Sequence, residues 1–442
     1  LKNLLSLAIV SLLCSFPSFS KSFIVKRKIK QINVIPEEIA LASFGIQVEK
    51  PLVQDLGIYL INVPEVKGGG FTSLRTSLLS TGEFEYIQED HPVTQRLVSA
   101  DPRFYDQWSI NGDGEFGIGA SEAWSYSTGG TDAAGNDIVV AVVEEGISIT
   151  HEDLKDNIWI NKGEIPKNKI DDDNNGYVDD YYGYDSAPSV PTGESHGTHV
   201  AGIIGAKGDN DKHIAGINWD VKLMPVLMKT FSTSSVLASY GYVLKQKKIW
   251  LESKGQAGAN VVAVNSSFGI NGADCNSEKY PLWNDIYNEM GKLGIVNVVA
   301  TANRAWNVDN VGDVPSGCSS DYIISVTNTD EDGKIYGQAG FGQKFIDLGA
   351  PGTEIYSTIP YNMVGGMTGT SMATPHVTGS VALLHAIAPR NVNNRYYNDP
   401  AGFALFIKKI VLQTVAPEQS LKGKTVSGGR LDLGAAAKKI LE

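Results

Sequence analysis

The chain has 442 residues, 42% of them hydrophobic and 19% charged, with a formal net charge of −12. That length can bury a large core, and the composition is ordinary for a globular protein, which excludes a disordered or fibrous chain. Residues 1–100 hold 10 Lys/Arg against 9 Asp/Glu, so the remainder carries about −13; such an acidic body is a poor partner for nucleic acid, whose phosphates need basic patches.

At the N-terminus, Lys2, an apolar run from Leu4 to Cys14 and small residues at Ser18 and Ser20 make the three parts of a secretory signal peptide over residues 1–20. The run is too short for a permanent anchor, and no stretch of 18 or more apolar residues follows it. The mature protein is therefore expected outside the cytoplasm, extracellular or periplasmic, and free of the membrane. Lipid attachment at Cys14 is the alternative, against which stands the bulky Leu13 where such signals carry a small residue.

Residues 21–98 read as a small α+β module. SFIVKRKIK and GIYLINVPEV are strand-like, FTSLRTSLLST carries leucines at helical spacing, and FEYIQED reads as a closing strand. HPVTQRLVSADP suits a cleavable linker. In residues 99–442 the apolar runs IVVAVV, NVVAVN, IVNVVA and YIISV alternate with helical stretches, the pattern of a mainly parallel α/β sheet covered on both faces. GGRLDLGAAAKKILE reads as a helix closing that unit, with no sorting domain expected beyond it.

Three stretches of the larger unit each supply one reactive residue type. VVAVVEEG places Glu144 at the end of a buried strand, next to Glu145 and Gly146. HGTHVAGIIGA opens on His196 and continues as an apolar, small-residue helix. GTSMATPHVTGSVALL sets Ser371 before an apolar helix with Pro375 expected in its first turn, where proline is tolerated. A serine there gains free backbone N–H groups and the positive end of the helix dipole, both suited to holding an oxyanion. The serine is not in a G-x-S-x-G elbow, because Ala373 takes the last position, which disfavours an α/β-hydrolase.

In that order of acid, histidine and serine, and in the words HGTHVAG and GTSMATPHV, the sequence resembles the subtilisin-like serine proteases, the subtilases, over nearly all of its length after residue 20. The resemblance implies a three-layer, mainly parallel α/β fold preceded by a small α+β propeptide. It implies Ser371 as nucleophile, His196 as general base and Glu144 as the acid, with Asn303 of NVVATANRAW donating to the oxyanion. NSSFG resembles the substrate-binding strand, so Ser266, Ser267, Phe268 and Gly269 are expected to bind an extended peptide through main-chain hydrogen bonds. LGAPG and HEDL are further matches. The small residues around 265–269 and 299–303 are expected to exclude only a strongly charged recognition site built by adjacent acids.

The chain departs from the family at three places. Glu144 and Glu145 stand where the family carries aspartate and a small hydroxyl residue, and Ala302 stands for glycine. The longer acid brackets activity between nearly normal and severely weakened, since a misplacement of about 1 Å can cost roughly 100-fold. The expectation is a secreted endopeptidase acting on polypeptides and made as a zymogen; a pseudoprotease that binds peptides without turnover is the alternative. Glu145 is a second candidate acid, but neighbours on a strand face opposite ways. His199, His213 and His385 read as packing or surface residues.

KIDDDNNGYVDDYYG puts Asp171, Asp173, Asn175, Gly176 and Asp179 at positions 1, 3, 5, 6 and 9 of an oxygen-rich loop, with Tyr182 in place of the bidentate glutamate at position 12. The reading is a structural Ca²⁺ on Asp171, Asp173, Asn175 and Asp179; a solvated acidic loop is the alternative. Loss of the signal leaves Cys275 and Cys318, an even pair that favours a disulfide in an oxidising compartment over two separate buried thiols. The first module, on the family's pattern, is the chain's own inhibitor, with a permanent accessory domain as the alternative. The protein is expected to be monomeric.

Overall fold

The computed structural model describes residues 21–28, 46–63, 71–90, 98–111, 116–184 and 195–442. The signal segment and the first seven residues of the linker stretch lie outside them. The chain divides into two compact units, residues 1–94 and 95–442, a boundary four residues before the one expected.

The first unit is a four-stranded antiparallel sheet of order β2-β3-β1-β4, from β1 (Lys21–Arg27), β2 (Gln47–Val53), β3 (Ile58–Val63) and β4 (Phe84–Glu89). A helix, Phe71–Ser80, belongs to the same unit. Phe23 and Val25 of β1, Ile61 and Val63 of β3, and Phe84 and Ile87 of β4 share one small core with Leu78 of the helix. The alternation of buried Phe23 and Val25 with half-buried neighbours is the period-2 signature of a sheet with one covered face.

The second unit is built on an eight-stranded sheet. Its parallel strands are β5 (Val139–Glu144), β6 (Lys222–Leu227), β7 (Val261–Ser266), β9 (Val296–Ala300), β11 (Ile323–Thr329), β12 (Leu348–Pro351) and β16 (Gly429–Arg430), and β15 (Ala416–Pro417) joins antiparallel at one edge. The order is β15-β16-β12-β11-β9-β7-β5-β6. The four apolar runs singled out in the sequence form four adjacent interior strands, β11, β9, β7 and β5, and every residue of each strand is buried. Pro225 sits in β6, at the sheet's other edge, where a missing donor costs least. Two short pairs lie outside the sheet: β8 (Ile270–Asn271) with β10 (Asp313–Val314), and β13 (Ile355–Ile359) with β14 (Met363–Met367).

Along β5, Val140 and Val142 enter one core cluster, while Val139, Ala141 and Val143 enter another. The first cluster is covered by the helices Ser195–Gly205 and Thr370–Ile387, the second by Thr233–Glu252 and Pro281–Lys292. Helices on both faces of a mostly parallel sheet make three layers. The helix Thr370–Ile387 is buried on every side apart from the partly buried Ala386, which is why its sequence is apolar or small apart from two buried histidines, His376 and His385.

That helix begins one residue before Ser371, so Pro375 falls in its second turn, not its first. Proline brings no N–H for the carbonyl four residues earlier, which is that of Ser371. The orphaned oxygen instead accepts from Ser267 Oγ at 3.0 Å.

Candidate active site

Glu144 closes β5 at the C-terminal end of the sheet, and His196 is the second residue of the helix Ser195–Gly205. Gly197 lets the two meet: a Cβ there would come within 2.2 Å of Gly146 O and 2.9 Å of Glu144 Cβ. Glu144 is 2% exposed, and its Oε2 lies 3.0 Å from His196 Nδ1. The longer acid therefore reaches the imidazole. Nδ1 is the donor in this bond, which leaves Nε2 as the acceptor. Burial pulls the His196 pKa down, but the hydrogen bond and charge of Glu144, with the charge of Glu145, outweigh it and hold it above the ordinary 6.5. Glu145 acts only through its charge and makes no hydrogen bond to the ring.

Ser371, 8% exposed, donates from Oγ to Ser267 O at 3.2 Å, and no hydrogen bond joins it to His196. Together with Ser267 Oγ to Ser371 O, this makes a reciprocal pair between the serine helix and the end of β7. A relay behind it fixes the geometry: Thr378 Oγ1 donates to Asn265 Oδ1 at 2.9 Å, and Asn265 Nδ2 donates to Ser267 Oγ at 3.0 Å. As the second helical residue, Ser371 has a backbone N–H without an intrahelical acceptor. Asn303 Oδ1 accepts from Thr370 N at 2.9 Å and Thr370 Oγ1 at 3.1 Å, which commits the oxygen and leaves the Nδ2 amide as a donor beside Ser371.

Ser267, Phe268, Gly269, Asn303 and Ser371 line one cavity of about 460 Å³. Ser266 does not: its side chain points to the opposite face of the sheet, where Oγ meets Tyr240 OH at 2.7 Å, the alternation that a strand imposes. Ala302 also lines the cavity, and so does an acid, Asp313. The expectation concerned acids within residues 265–269 and 299–303, and Asp313 is not one of them. Asp313 comes from β10, outside the two stretches inspected, and is brought in by its pairing opposite Asn271 of β8. No sequence motif marked it. Cys275 and Cys318, flanking β8 and β10, are bonded to each other with Cα atoms 4.9 Å apart.

His199 and His385 are buried in the packing, and burial lowers them to about 4 and about 3. His213 Nε2 meets Glu152 Oε1 at 2.7 Å. In the HEDL stretch, His151 Nε2 meets Met363 O and Asp153 accepts from Ile214 N, roles in loop packing, not catalysis.

The acidic loop is organised differently from the sequence pattern. Asp179 accepts from the amides of Asn168 and Lys169, and Asp171 from those of Asn175 and Gly176. Asn175 turns its amide nitrogen toward Asp173 and Asp180. Among the described residues, the carboxylates that converge are Glu164, Asp173 and Asp180, so of the expected acids only Asp173 belongs to the cluster. Backbone amides claim the other two because the tight turns here, with Asn174 and Asp179 at positive φ, point N–H groups inward. Glu164 Oε2 is buried with no hydrogen-bond partner among the described residues, and burial followed by the neighbouring acids raises the Glu164 pKa against two backbone hydrogen bonds. A hard divalent cation fits such an oxygen set.

A model of the subtilase family matches residues 135–428, and the chain belongs to that family. It is 29% identical over 323 residues to subtilisin-like protease 1 of Plasmodium berghei, covering 68% of this chain and 50% of that protein. It is 30% identical over 342 residues to an extracellular protease of Xanthomonas campestris, covering 72% of this chain and 54% of that one. The chain thus spans about half the length of these relatives. Among solved structures, a protease from Pseudoalteromonas arctica matches at 25% identity with a TM-score of 0.56, over 78% of this chain and all of that one. The epidermin leader peptide processing serine protease of Staphylococcus aureus shares the fold at 18% identity, TM-score 0.52. Among the described residues no helix is long and apolar enough to cross a membrane.

Proposed function

We propose that this chain is an exported serine endopeptidase that hydrolyses polypeptides through an acyl-enzyme on Ser371. The observation that carries the reading is the 3.0 Å bond between Glu144 and His196 Nδ1, on the same face of the unit as a serine at a helix start and a free asparagine amide. With Nδ1–H held by Glu144, Nε2 takes the Ser371 proton as Oγ attacks the peptide carbonyl, and returns it to the leaving amine. The oxygen that gains charge is met by the Asn303 amide and the Ser371 N–H. Main-chain groups of Ser267 to Gly269 hold the peptide extended.

A second reading, a peptide-binding protein without turnover, draws on the Ser371 hydroxyl, which donates to Ser267 O and not to His196. Catalytic hydrogen bonds often form only once substrate is bound, and the Glu144–His196 bond favours the first reading. Residues 21–98 are proposed as an inhibitory propeptide preceded by the signal, on position and size. Intact mass and N-terminal sequencing of exported wild type and Ser371→Ala test both points. The expected result is loss of residues up to about 91–101 in the wild type only; equal, unprocessed masses would sink self-processing and favour the second reading.

For Ca²⁺, Glu164, Asp173 and Asp180 are the proposed ligands. The ion supplies charge neutralisation that stiffens the loop before the histidine helix, and no catalytic step passes through it. Excess calcium is expected to raise the Tm of the wild type by several degrees over a chelated sample, since a ligand at 100 times its Kd adds about 2.7 kcal/mol. Glu164→Gln should remove most of that rise, and an equal rise in both proteins would move the ion elsewhere.

A further inference from the structure

The acid that the sequence did not reveal is the most unusual group in the cavity. Asp313 is 1% exposed. Its Oδ2 accepts from Ser316 Oγ at 2.5 Å, while Oδ1 is buried and accepts from none of the described residues. No described lysine or arginine forms an ion pair with it. Burial raises its pKa to about 7, against the Ser316 hydrogen bond that lowers it. A buried carboxylate oxygen without a donor is a costly arrangement in a native fold, and one that survives in a binding cavity points to a partner delivered from outside.

Ser371 and Asp313 line the same cavity. Gly269, another lining residue, stands between: a Cβ on it would lie 3.6 Å from Asp313 Oδ1 and 2.8 Å from Val314 O, so any side chain there would crowd the acid's wall. The Ala302 methyl also lines the cavity, which favours a slim, unbranched occupant. Arg304, also on the lining, is exposed and lies with its guanidinium carbon 5.7 Å from the Trp306 ring centroid. At the solvated rim its charge is screened, whereas the charge of Asp313 is not.

We propose that Asp313 is a specificity-determining residue: it makes this cavity the receptor for a lysine or arginine side chain on the residue just before the scissile bond. The ammonium or guanidinium supplies the donor that Oδ1 lacks, and the apolar stem fills the passage past Gly269 and Ala302. This rests on the peptidase reading, but the recognition can be measured separately from turnover.

The experiment is a matched peptide series differing only at that position, with lysine, arginine, leucine, glutamine or glutamate, given to processed wild type and to Asp313→Asn. The wild type is expected to show kcat/KM for lysine or arginine at least about 30-fold above leucine, the range of a charged hydrogen bond to a buried acid. In Asp313→Asn that ratio should collapse toward unity. Equal or better cleavage after leucine, a preference for glutamate directed by Arg304, or an unchanged ratio in the variant would each overturn the proposal. The wild-type series decides by itself if the variant does not fold. Should no peptide be cleaved, the same series is read as equilibrium binding by fluorescence anisotropy. A basic preference there keeps this assignment while hydrolysis fails, and its absence ends both.

Discussion

On the proposed mechanism, Ser371→Ala is expected to lower the rate of peptide hydrolysis by about 10⁶-fold, and adding His196→Ala to it to cost little more. The two groups act as one unit, since the histidine has no proton to take once the hydroxyl is gone. What survives, roughly 10³ over the uncatalysed rate, belongs to the Asn303 amide, the backbone N–H and peptide binding. Single-turnover kinetics on Ser371→Ala, His196→Ala and the double variant check this. Additive losses would show that His196 serves something other than Ser371.

Glu144→Gln is the second large effect, with kcat down by about 10⁴, close to 5 kcal/mol of barrier. The glutamine keeps the size of the side chain but can offer its NH₂ to Nδ1, which stabilises the wrong tautomer and no imidazolium. The pH profile gives an independent readout. His196 must be neutral to accept a proton, so activity is lost as pH falls through its pKa, which lies above 6.5 in the wild type. Removing Glu144 deletes the largest upward influence and leaves burial, which acts downward, so the acid limb of the variant should move to lower pH. Glu144→Asp tests the length of the acid. The glutamate already stands 3.0 Å from the ring, so a shorter side chain opens a gap of about 1 Å or more and should cost roughly 10- to 100-fold. A faster aspartate variant would mean that the native acid is an impairment.

The sheet and the Glu144–His196 pair were legible in the sequence for different physical reasons. Four β-branched runs, each with no polar residue to offer solvent along most of its length, can only be interior parallel strands, and all four are. Glu144 and His196, which a hydrogen bond joins, lie in runs that close packing constrains, such as Gly197 against Gly146 O and Glu144 Cβ. Short-range pattern failed where tertiary pairing decides. Ser266 was counted with its neighbours although a strand sends alternate side chains to opposite faces. The acidic loop obeyed a spacing rule, yet its turns hand Asp171 and Asp179 to backbone amides and recruit Glu164 from outside the run. Asp313 carries no local signal at all; only the two-residue ladder between β8 and β10 brings it to the cavity.

The Cys275–Cys318 bond closes a ring of chain that contains β9, Asn303 and Asp313. Closing a loop of 43 residues removes about 4 kcal/mol of chain freedom from the open state. A peptidase works in a crowd of its own copies, each able to cut whatever segment of a neighbour comes loose. The stretch that holds Asn303, the proposed oxyanion donor, and Asp313 is the one that this ring keeps from fraying, so the bond would guard the working lifetime of the molecule more than its shape.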